Sequence, residues 1–157
     1  MQRTLNKRTS NGTDLPHHQS EGYLVRDAHR AFQRLLEKRI APHGVTRGQW
    51  YFLRVLWEED GLSQRELSAR VGMMEPTTVI ALRGMEKSGL IRRERSNDDR
   101  RITKVHLTPK ARRLRDRLLQ ISQGVNDQAA ESIDPGALAQ FRRVIARMTE
   151  NLDRIEK

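Results

Sequence analysis

Apolar residues recur at helical spacing through most of this chain and alternate at strand spacing in only one region. In the first such segment, Leu24, Ala28, Ala31 and Leu35 follow one another at steps of four, three and four. This spacing predicts an apolar stripe along a long amphipathic helix over residues 20–40. A proline and a glycine soon afterwards are expected to end that helix.

Capping signals mark the starts of the next two helices. Thr46 lies three residues before Gln49, and Ser63 lies three residues before Glu66, which is the spacing of a capping box. In this motif the two side chains satisfy backbone amides that have no partner in the first helical turn. The second of these helices is expected to be short, because Gly72 can end it in the left-handed conformation.

Another helix is predicted directly after this glycine. Pro76 suits its first position, and Thr78, Leu82 and Met85 recur at steps of four and three as its core stripe. Gly89 is expected to stop it. Two short helices joined by a tight turn form a helix-turn-helix pattern.

The spacing changes after this helix. Residues 90–95 and 102–107 have the composition of short strands, and the second segment alternates apolar and polar side chains. Residues 96–99 between them, Ser-Asn-Asp-Asp, readily bond to their own backbone in turns. The pattern predicts a β-hairpin, or wing, with arginines beside its turn.

Two long helices are predicted at the end of the chain. Thr108-Pro109 and Asp134-Pro135 each supply a capping residue followed by a proline suited to the first helical position. Apolar residues then recur at steps of three and four after both prolines, which predicts two amphipathic helices.

The predicted fold class is therefore mainly α with one small β-hairpin. A winged helix-turn-helix lobe spans residues 46–108, inside a single domain of residues 19–157. The flanking segments, 19–42 and 109–157, are helices whose apolar stripes a short chain cannot bury alone, which predicts a homodimer. Residues 1–18 are polar and predict a flexible arm.

The charge of the chain indicates a class of binding partner. The chain of 157 residues has a formal net charge of +10, which favours a polyanion such as nucleic acid. Residues 91–118 hold eleven basic side chains against four acidic ones, so most of the excess lies in and just after the wing. The chain has no cysteine, which excludes disulfides, thiolate metal sites and thiol redox sensing. No apolar run is long enough to span a membrane, and a cytoplasmic location is expected by default.

An enzyme is not expected. The histidines at positions 17, 18, 29, 43 and 106 have no metal-ligand spacing, and no nucleophile and base are paired. We therefore predict no catalytic residue, no bound metal and no cofactor. A constitutive architectural DNA-binding protein is the competing interpretation. A membrane-surface protein would need a basic helix with a wide apolar face, which this chain lacks.

The order of elements resembles that of the MarR family (multiple antibiotic resistance regulators) over residues 20–156. The most specific match is Asp-Arg-Arg at 99–101 followed by Val-His-Leu-Thr at 105–108, which fits the family's wing pattern. Further matches are Gln49-Trp50, Leu67 with Ala69, and Glu-Lys-Ser-Gly-Leu at 86–90. The resemblance implies a homodimer that binds a pseudo-palindromic operator in double-stranded DNA, usually as a repressor, and that a small molecule releases.

The resemblance also assigns roles within the wing. Arg101 is expected to enter the minor groove, where a narrow cleft concentrates negative potential. Asp99 either holds this arginine by a charge-assisted hydrogen bond or pairs with it only to stabilise the hairpin. Arg100 is expected to reach a phosphate.

The second helix of the helix-turn-helix departs from the family's pattern. Its surface opposite the core stripe carries Thr77, Ile80, Arg83 and Lys87. Many family members have Ser or Thr and then Arg where this chain has Val79 and Ile80. We expect contacts to thymine methyl groups in place of a guanine-reading arginine, with Thr77 and Arg83 as polar readers, and therefore an A·T-rich operator.

The predicted DNA contacts combine the wing, this helix and the start of the helix before it. Side chains at that start are placed to meet phosphates, although capping explains the serine equally well. The full set is Ser63, Gln64, Arg65, Thr77, Thr78, Ile80, Arg83, Lys87, Asp99, Arg100 and Arg101.

Small-molecule effectors of the family commonly bind between the dimerisation helices and the DNA-binding lobe. Here Arg26, His29 and Arg30 of the first helix and Trp50 of the second are the predicted lining. A guanidinium can hold a carboxylate, and an indole can stack on an aromatic ring. We expect an aromatic or phenolic acid, with an acyl-coenzyme A thioester as the alternative. Trp50 also fits the core stripe, and His29 also fits a surface position.

Overall fold

The computed structural model describes residues 16–97 and 99–155. Within these ranges the predicted fold class is confirmed, because helices predominate and the strands form one small sheet. Residues 1–15 of the predicted arm lie outside the described residues. His17 and His18, at the end of the predicted arm, belong to a 3-10 turn. In chain order the elements are a 3-10 turn at His17–Gln19, α1 Glu21–Ile40, a 3-10 turn at Ala41–His43, α2 Arg47–Glu58, β1 Leu62–Ser63, α3 Gln64–Val71, α4 Glu75–Lys87, β2 Ile91–Arg95, β3 Thr103–Leu107, α5 Pro109–Ala129 and α6 Pro135–Ile155.

The three strands form an antiparallel sheet in the order β1-β3-β2. β2 and β3 are the predicted hairpin, and their register pairs Ile91 with Leu107. The sequence pattern did not predict β1, because a strand of two residues is too short to show an alternation. Its Leu62 pairs with Val105 of β3, so the chain entering α3 is tied to the middle of the sheet.

The helix starts follow the predicted capping chemistry. Gln49 N donates to Thr46 Oγ1 over 3.3 Å, and Thr46 N donates to Gln49 Oε1 over 3.0 Å. Ser63 and Glu66 form the same reciprocal pair at the start of α3. Both capping boxes are therefore confirmed, and they fix where α2 and α3 begin.

α3 and α4 form the helix-turn-helix. α3 ends at Gly72, whose φ of 71° lies in the left-handed region, as predicted. α4 begins at Glu75, so the prediction that Pro76 is its first residue is wrong by one position. Proline fits the second position as well, because that amide also lacks a helical acceptor. A buried hydrogen bond joins the two helices, in which Thr78 Oγ1 donates to Ser68 Oγ over 3.1 Å.

The five helices from α1 through α5 and the sheet share one hydrophobic core. Phe52 and Leu53 of α2 and Leu82 and Met85 of α4 are completely buried in it. Trp50 is only 4% exposed, so of its two predicted positions the core is the one it occupies. The winged lobe and the adjoining part of α5 therefore pack as one unit.

α6 differs from the other helices because none of its described residues is buried. Its apolar stripe includes Phe141, Leu152 and Ile155, which are 59%, 64% and 81% exposed. α1 is buried only near its C-terminal end, at Leu36 and Ile40. Both helices thus carry apolar surface that the described part of a single chain leaves uncovered. None of the helices in the described ranges is long and apolar enough to cross a membrane.

Gly61 joins α2 to β1 in a conformation that disfavours a side chain. Its φ is +77°, and a Cβ built on it would lie 3.0 Å from Cε1 of His106 in β3. Gly61 N also donates to Val105 O over 3.0 Å, which extends the pairing between β1 and β3. The close approach of these strands therefore depends on glycine at this position.

We predict that Gly61→Ala lowers the free energy of unfolding more than Gly72→Ala does. Both glycines have a positive φ, so alanine costs roughly 1–2 kcal/mol of left-handed strain at either position. A Cβ at Gly72 meets open space, whereas at Gly61 it meets the His106 ring. Urea unfolding of both variants measures the difference, and equal losses would contradict a close contact with His106.

Candidate nucleic-acid interface

α4 turns one face to the core and the opposite face to solvent. Leu82 and Met85 are completely buried, whereas Ile80 is 71% exposed. This face combines one large aliphatic side chain with polar and basic ones, a composition suited to the edges and phosphates of a duplex. The predicted contacts Thr77, Ile80, Arg83 and Lys87 are all exposed on it.

Thr78, which also belongs to the predicted set of contacts, lies in the core. Its side chain is 1% exposed, and its hydroxyl donates to Ser68 of α3. This position agrees with the core stripe on which the helical spacing places it. Thr78 therefore holds α4 against α3 and does not belong to the exposed face.

The start of α3 combines a cap with an exposed arginine. The side-chain hydrogen bond from Ser63, and then the one from its backbone amide, hold the pKa of Glu66 below its ordinary value of 4.5. Capping thus accounts for Ser63. Arg65 is exposed, whereas Gln64 is half-buried and accepts a hydrogen bond from Arg93 Nη1 over 3.5 Å.

Asp99 shapes the tip of the wing. Its Oδ1 accepts from the backbone N of Arg101 over 2.9 Å, while Nε of Arg101 lies 3.8 Å from the same oxygen. The side chain of Arg101 is 95% exposed, and Arg100 beside it is exposed as well. Asp99 therefore acts mainly on the backbone of the turn and leaves the guanidinium of Arg101 extended into solvent.

Some side chains of the basic segment are engaged within the protein. Arg112 Nη2 donates to Asp60 Oδ2 over 2.5 Å, and Arg92 pairs with Glu94 on the same strand. A count of charges along the sequence cannot show such pairs, because an acidic partner can be distant in sequence. The local charge excess therefore overstates how many arginines are available to a polyanion.

Arg93 connects the wing to α4. Its Nη2 and Nε donate to Glu86 Oε2 over 2.6 and 3.0 Å, and its backbone N donates to Glu86 Oε1 over 3.2 Å. The side-chain hydrogen bond from Arg93 holds the pKa of Glu86 below its ordinary value of 4.5. We call this pair the Arg93–Glu86 brace. It fixes β2 against the end of α4 and was not predicted from the sequence.

Asp60, in the segment between α2 and β1, binds two elements at the base of the wing. Its Oδ1 accepts from Leu107 N at the end of β3 over 2.8 Å, and its Oδ2 accepts from Arg112 of α5. These partners lie 47 and 52 residues further along the chain. No local signal in the sequence connects Asp60 with these partners, so this role was not predicted.

The four residues predicted to line an effector site differ in exposure. Arg26, His29 and Arg30 are exposed on α1, whereas Trp50 is buried in α2. The guanidinium of Arg26 lies over the ring of Tyr23, 5.4 Å from its centroid. Across the part of the chain that the structure describes, no three potential metal ligands of the His, Cys, Asp or Glu type cluster.

A cavity of about 620 Å³, largely open to solvent, lies between α2 and α5. Trp50 and Arg54 line it from α2, and Gln123 and Asn126 line it from α5. The guanidinium of Arg54 lies 5.8 Å from the centroid of the Trp50 ring. An arginine, an indole and two amides around one cavity can hold a flat ring that carries a carboxylate. Arg54 was not among the predicted effector contacts, although its four-residue spacing from Trp50 was a usable signal.

Comparisons with known proteins agree with this architecture. The sequence profile of the MarR family matches residues 45–103. The chain is 33% identical over 112 residues to the HTH-type transcriptional regulator TtmR of Methylorubrum extorquens (strain PA1), a match that covers 71% of this chain and 57% of that protein. The chain thus spans little more than half the length of this relative.

Solved structures share the fold over nearly their whole length. A MarR transcriptional regulator from Methanosarcina mazei Go1 is 29% identical, with a TM-score of 0.79 and coverage of 85% of this chain and 96% of that chain. The transcriptional repressor CouR, solved bound to a 23-mer DNA duplex, is 24% identical. Its TM-score is 0.78, and 87% of this chain and 99% of that chain are covered.

We predict that the Arg93–Glu86 brace stabilises the fold above pH 4.5 and loses this effect in acid. Folding lowers the pKa of Glu86, so its carboxylate contributes stability above the unfolded value and loses it as pH falls through the folded value. Glu86→Gln should lower the free energy of unfolding at neutral pH by at most about 1 kcal/mol, because the pair is partly exposed. The difference from the unsubstituted protein should shrink as pH falls.

Urea unfolding over this pH range measures the effect. Glu150→Gln is the control, because it removes an exposed ion pair with Arg147 on α6. A difference for Glu86→Gln that stays constant from neutral pH to well below pH 4.5 would contradict the prediction.

Proposed function

The chain belongs to the MarR family, and on that premise we propose that it regulates transcription in the cytoplasm by binding a DNA operator as a homodimer. The observation that carries the proposal is the joint exposure of α4 and the wing. α4 presents one polar and basic face, the wing extends Arg101, and the Arg93–Glu86 brace holds the two elements together. CouR, which has the same fold, was solved on a DNA duplex, and this supports DNA as the partner.

α4 is the element that we place in the major groove, as in other helix-turn-helix proteins. Thr77 and Arg83 are its polar readers of base edges, and Ile80 contacts thymine methyl groups. Lys87 and the exposed Arg65 at the start of α3 meet phosphates, which sets the register without reading sequence. An operator rich in A·T pairs follows from the aliphatic side chain at position 80.

The wing supplies the minor-groove contact. Arg101, extended from the turn, enters a narrow and strongly negative groove. Asp99 positions it through the backbone of the turn, and Arg100 neutralises a neighbouring phosphate. Affinity should therefore fall steeply with salt, because each phosphate contact releases condensed cations from the duplex.

The proposed homodimer covers the apolar stripe of α6. Phe141, Leu152 and Ile155 are all more than half exposed in the single chain, a surface that a soluble protein rarely leaves open. A two-fold arrangement of α1, α5 and α6 would bury this stripe and present two copies of α4 to inverted half-sites. We propose repression as the outcome, which is the usual mode of the family.

The proposed effector site is the cavity between α2 and α5. Arg54 is placed to hold a carboxylate, and the small exposed part of Trp50 contacts an aromatic ring. Arg26, His29 and Arg30 do not line this cavity, so Trp50 and Arg54 replace them as the proposed contacts. An aromatic or phenolic acid fits a cavity of about 620 Å³, and an acyl-coenzyme A thioester is the alternative for a site that opens to solvent.

We predict that selection of bound duplexes from a random-sequence library returns two inverted, A·T-rich half-sites about one helical turn apart. Arg101→Ala should weaken binding to the selected duplex by about 1–3 kcal/mol, because it removes the groove contact. Fluorescence anisotropy at fixed salt measures both dissociation constants.

Arg47→Ala is the matched control for this measurement. It removes the same charge from an arginine that faces Glu37 of α1, outside the proposed interface. Selection that returned no preference over bulk duplex would favour an architectural DNA-binding protein. G·C-rich half-site centres would contradict the role of Ile80, and equal losses for the two arginine variants would contradict the role of Arg101.

We predict that aromatic acids or their thioesters bind the cavity and release the selected duplex. Calorimetric titration with a panel of both compound classes should show binding heat for one class. Arg54→Ala should abolish this heat while leaving duplex binding intact, because the arginine holds the carboxylate and lies outside the DNA face. Arg47→Ala is again the control and should bind the compound normally. Absence of heat and of duplex release for every compound would overturn the proposed effector site.

A further inference from the structure

Gly84 lies within α4 at a position where the helix backbone has no need of glycine. Glycine is among the least favourable residues in a helix interior, because folding removes its large conformational freedom. Among the described residues, the glycines with a positive φ are Gly44, Gly61, Gly72 and Gly89, and Gly84 is not one of them. Alanine would therefore fit the backbone of α4 at this position and would favour the helix.

Packing within the chain does not explain Gly84 either. A Cβ built on it meets nothing within 4 Å, whereas a Cβ on Gly61 meets the ring of His106. Gly22 and Gly48 also have open space, but each is the second residue of its helix, where the amide lacks a helical partner in any case. Neither the backbone nor the described neighbours of Gly84 account for the missing side chain.

Gly84 lies on the exposed surface of α4 that we propose to face DNA. Residues four apart are neighbours on a helix surface, so Gly84 lies between Ile80 and Ser88 in one row. Ile80 is 71% exposed, and Ser88 Oγ donates back to Gly84 O over 2.9 Å, which keeps the serine side chain close to the helix. The row therefore has a notch at Gly84, with an aliphatic side chain along one side.

We propose that Gly84 is a specificity-determining residue whose notch accepts the 5-methyl group of a thymine in the major groove. The inference rests on the proposed function, since it requires α4 to lie in that groove. The 5-methyl group is the apolar feature that thymine displays there, and the side chain of Ile80 supplies an apolar contact for it. The missing Cβ lets the helix backbone approach the base edge closely, which is a general use of glycine.

The experiment uses the duplex returned by selection and replaces each thymine of a half-site in turn by deoxyuridine, which lacks only the methyl group. At one position the unsubstituted protein should lose about fourfold in affinity, the value expected for burying one methyl group. Gly84→Ala should bind the thymine duplex at least about tenfold more weakly, because its Cβ and the methyl group compete for one space. On the deoxyuridine duplex, Gly84→Ala should recover most of this loss.

The recovery separates a notch from a general effect of the substitution. Gly48→Ala, which places a Cβ in open space at the start of α2, should bind both duplexes like the unsubstituted protein. Thermal unfolding should show Gly84→Ala to be at least as stable as the unsubstituted chain, since alanine favours the helix. The inference alone would be overturned if Gly84→Ala and the unsubstituted protein bound the thymine duplex equally well. It would also be overturned if the affinity losses from Gly84→Ala and from the deoxyuridine replacement were simply additive. A protein that selects no duplex would overturn the proposed function and this inference with it.

Discussion

The burial of one face of α4 determines what the rest of the molecule presents to a duplex. Leu82 and Met85 are completely buried, and burying a side chain of this size contributes roughly 1.5–3 kcal/mol. Thr78 adds a buried hydrogen bond to α3, and breaking it would leave polar groups unsatisfied. Rotation of α4 about its axis would lose all three interactions. Ile80 and Gly84 therefore face outward, because the residues on the opposite face of α4 are held in the core.

The wing is oriented by hydrogen bonds to charged groups. The Arg93–Glu86 brace joins β2 to the end of α4, and Asp60 joins β3 to the segment after α2 and to α5. Such contacts are worth less than the buried core, but they are directional, and they fix an element that has little apolar surface of its own. The distance between the α4 face and Arg101 thus depends on the carboxylates of Glu86, Asp60 and Asp99 and on their hydrogen-bond partners. Substitutions at these carboxylates are expected to alter DNA binding, although the residues themselves do not contact DNA.

The proposed effector site and the proposed dimer share one helix, α5. The cavity lies between α2, which belongs to the core of the winged lobe, and α5, which runs from the base of the wing toward α6. A ligand held by Arg54 and Trp50 changes DNA affinity only if it binds one relative position of α2 and α5 better than another. The apolar stripe of α6 gives a dimer a means of passing such a change to both copies of α4.

Elements whose causes are local could be predicted from the sequence alone. Capping boxes at Thr46 and Ser63, the left-handed Gly72 and the spacing of Leu82 and Met85 act within one or two helical turns, so they can be read without a structure. Contacts between residues that are distant in sequence could be found only from the tertiary structure. It brought Asp60 to partners 47 and 52 residues away, put Arg54 rather than the α1 arginines beside Trp50, and added β1 to the sheet. It also showed that the space around Gly84 is empty, because a residue type in a sequence does not reveal what surrounds it.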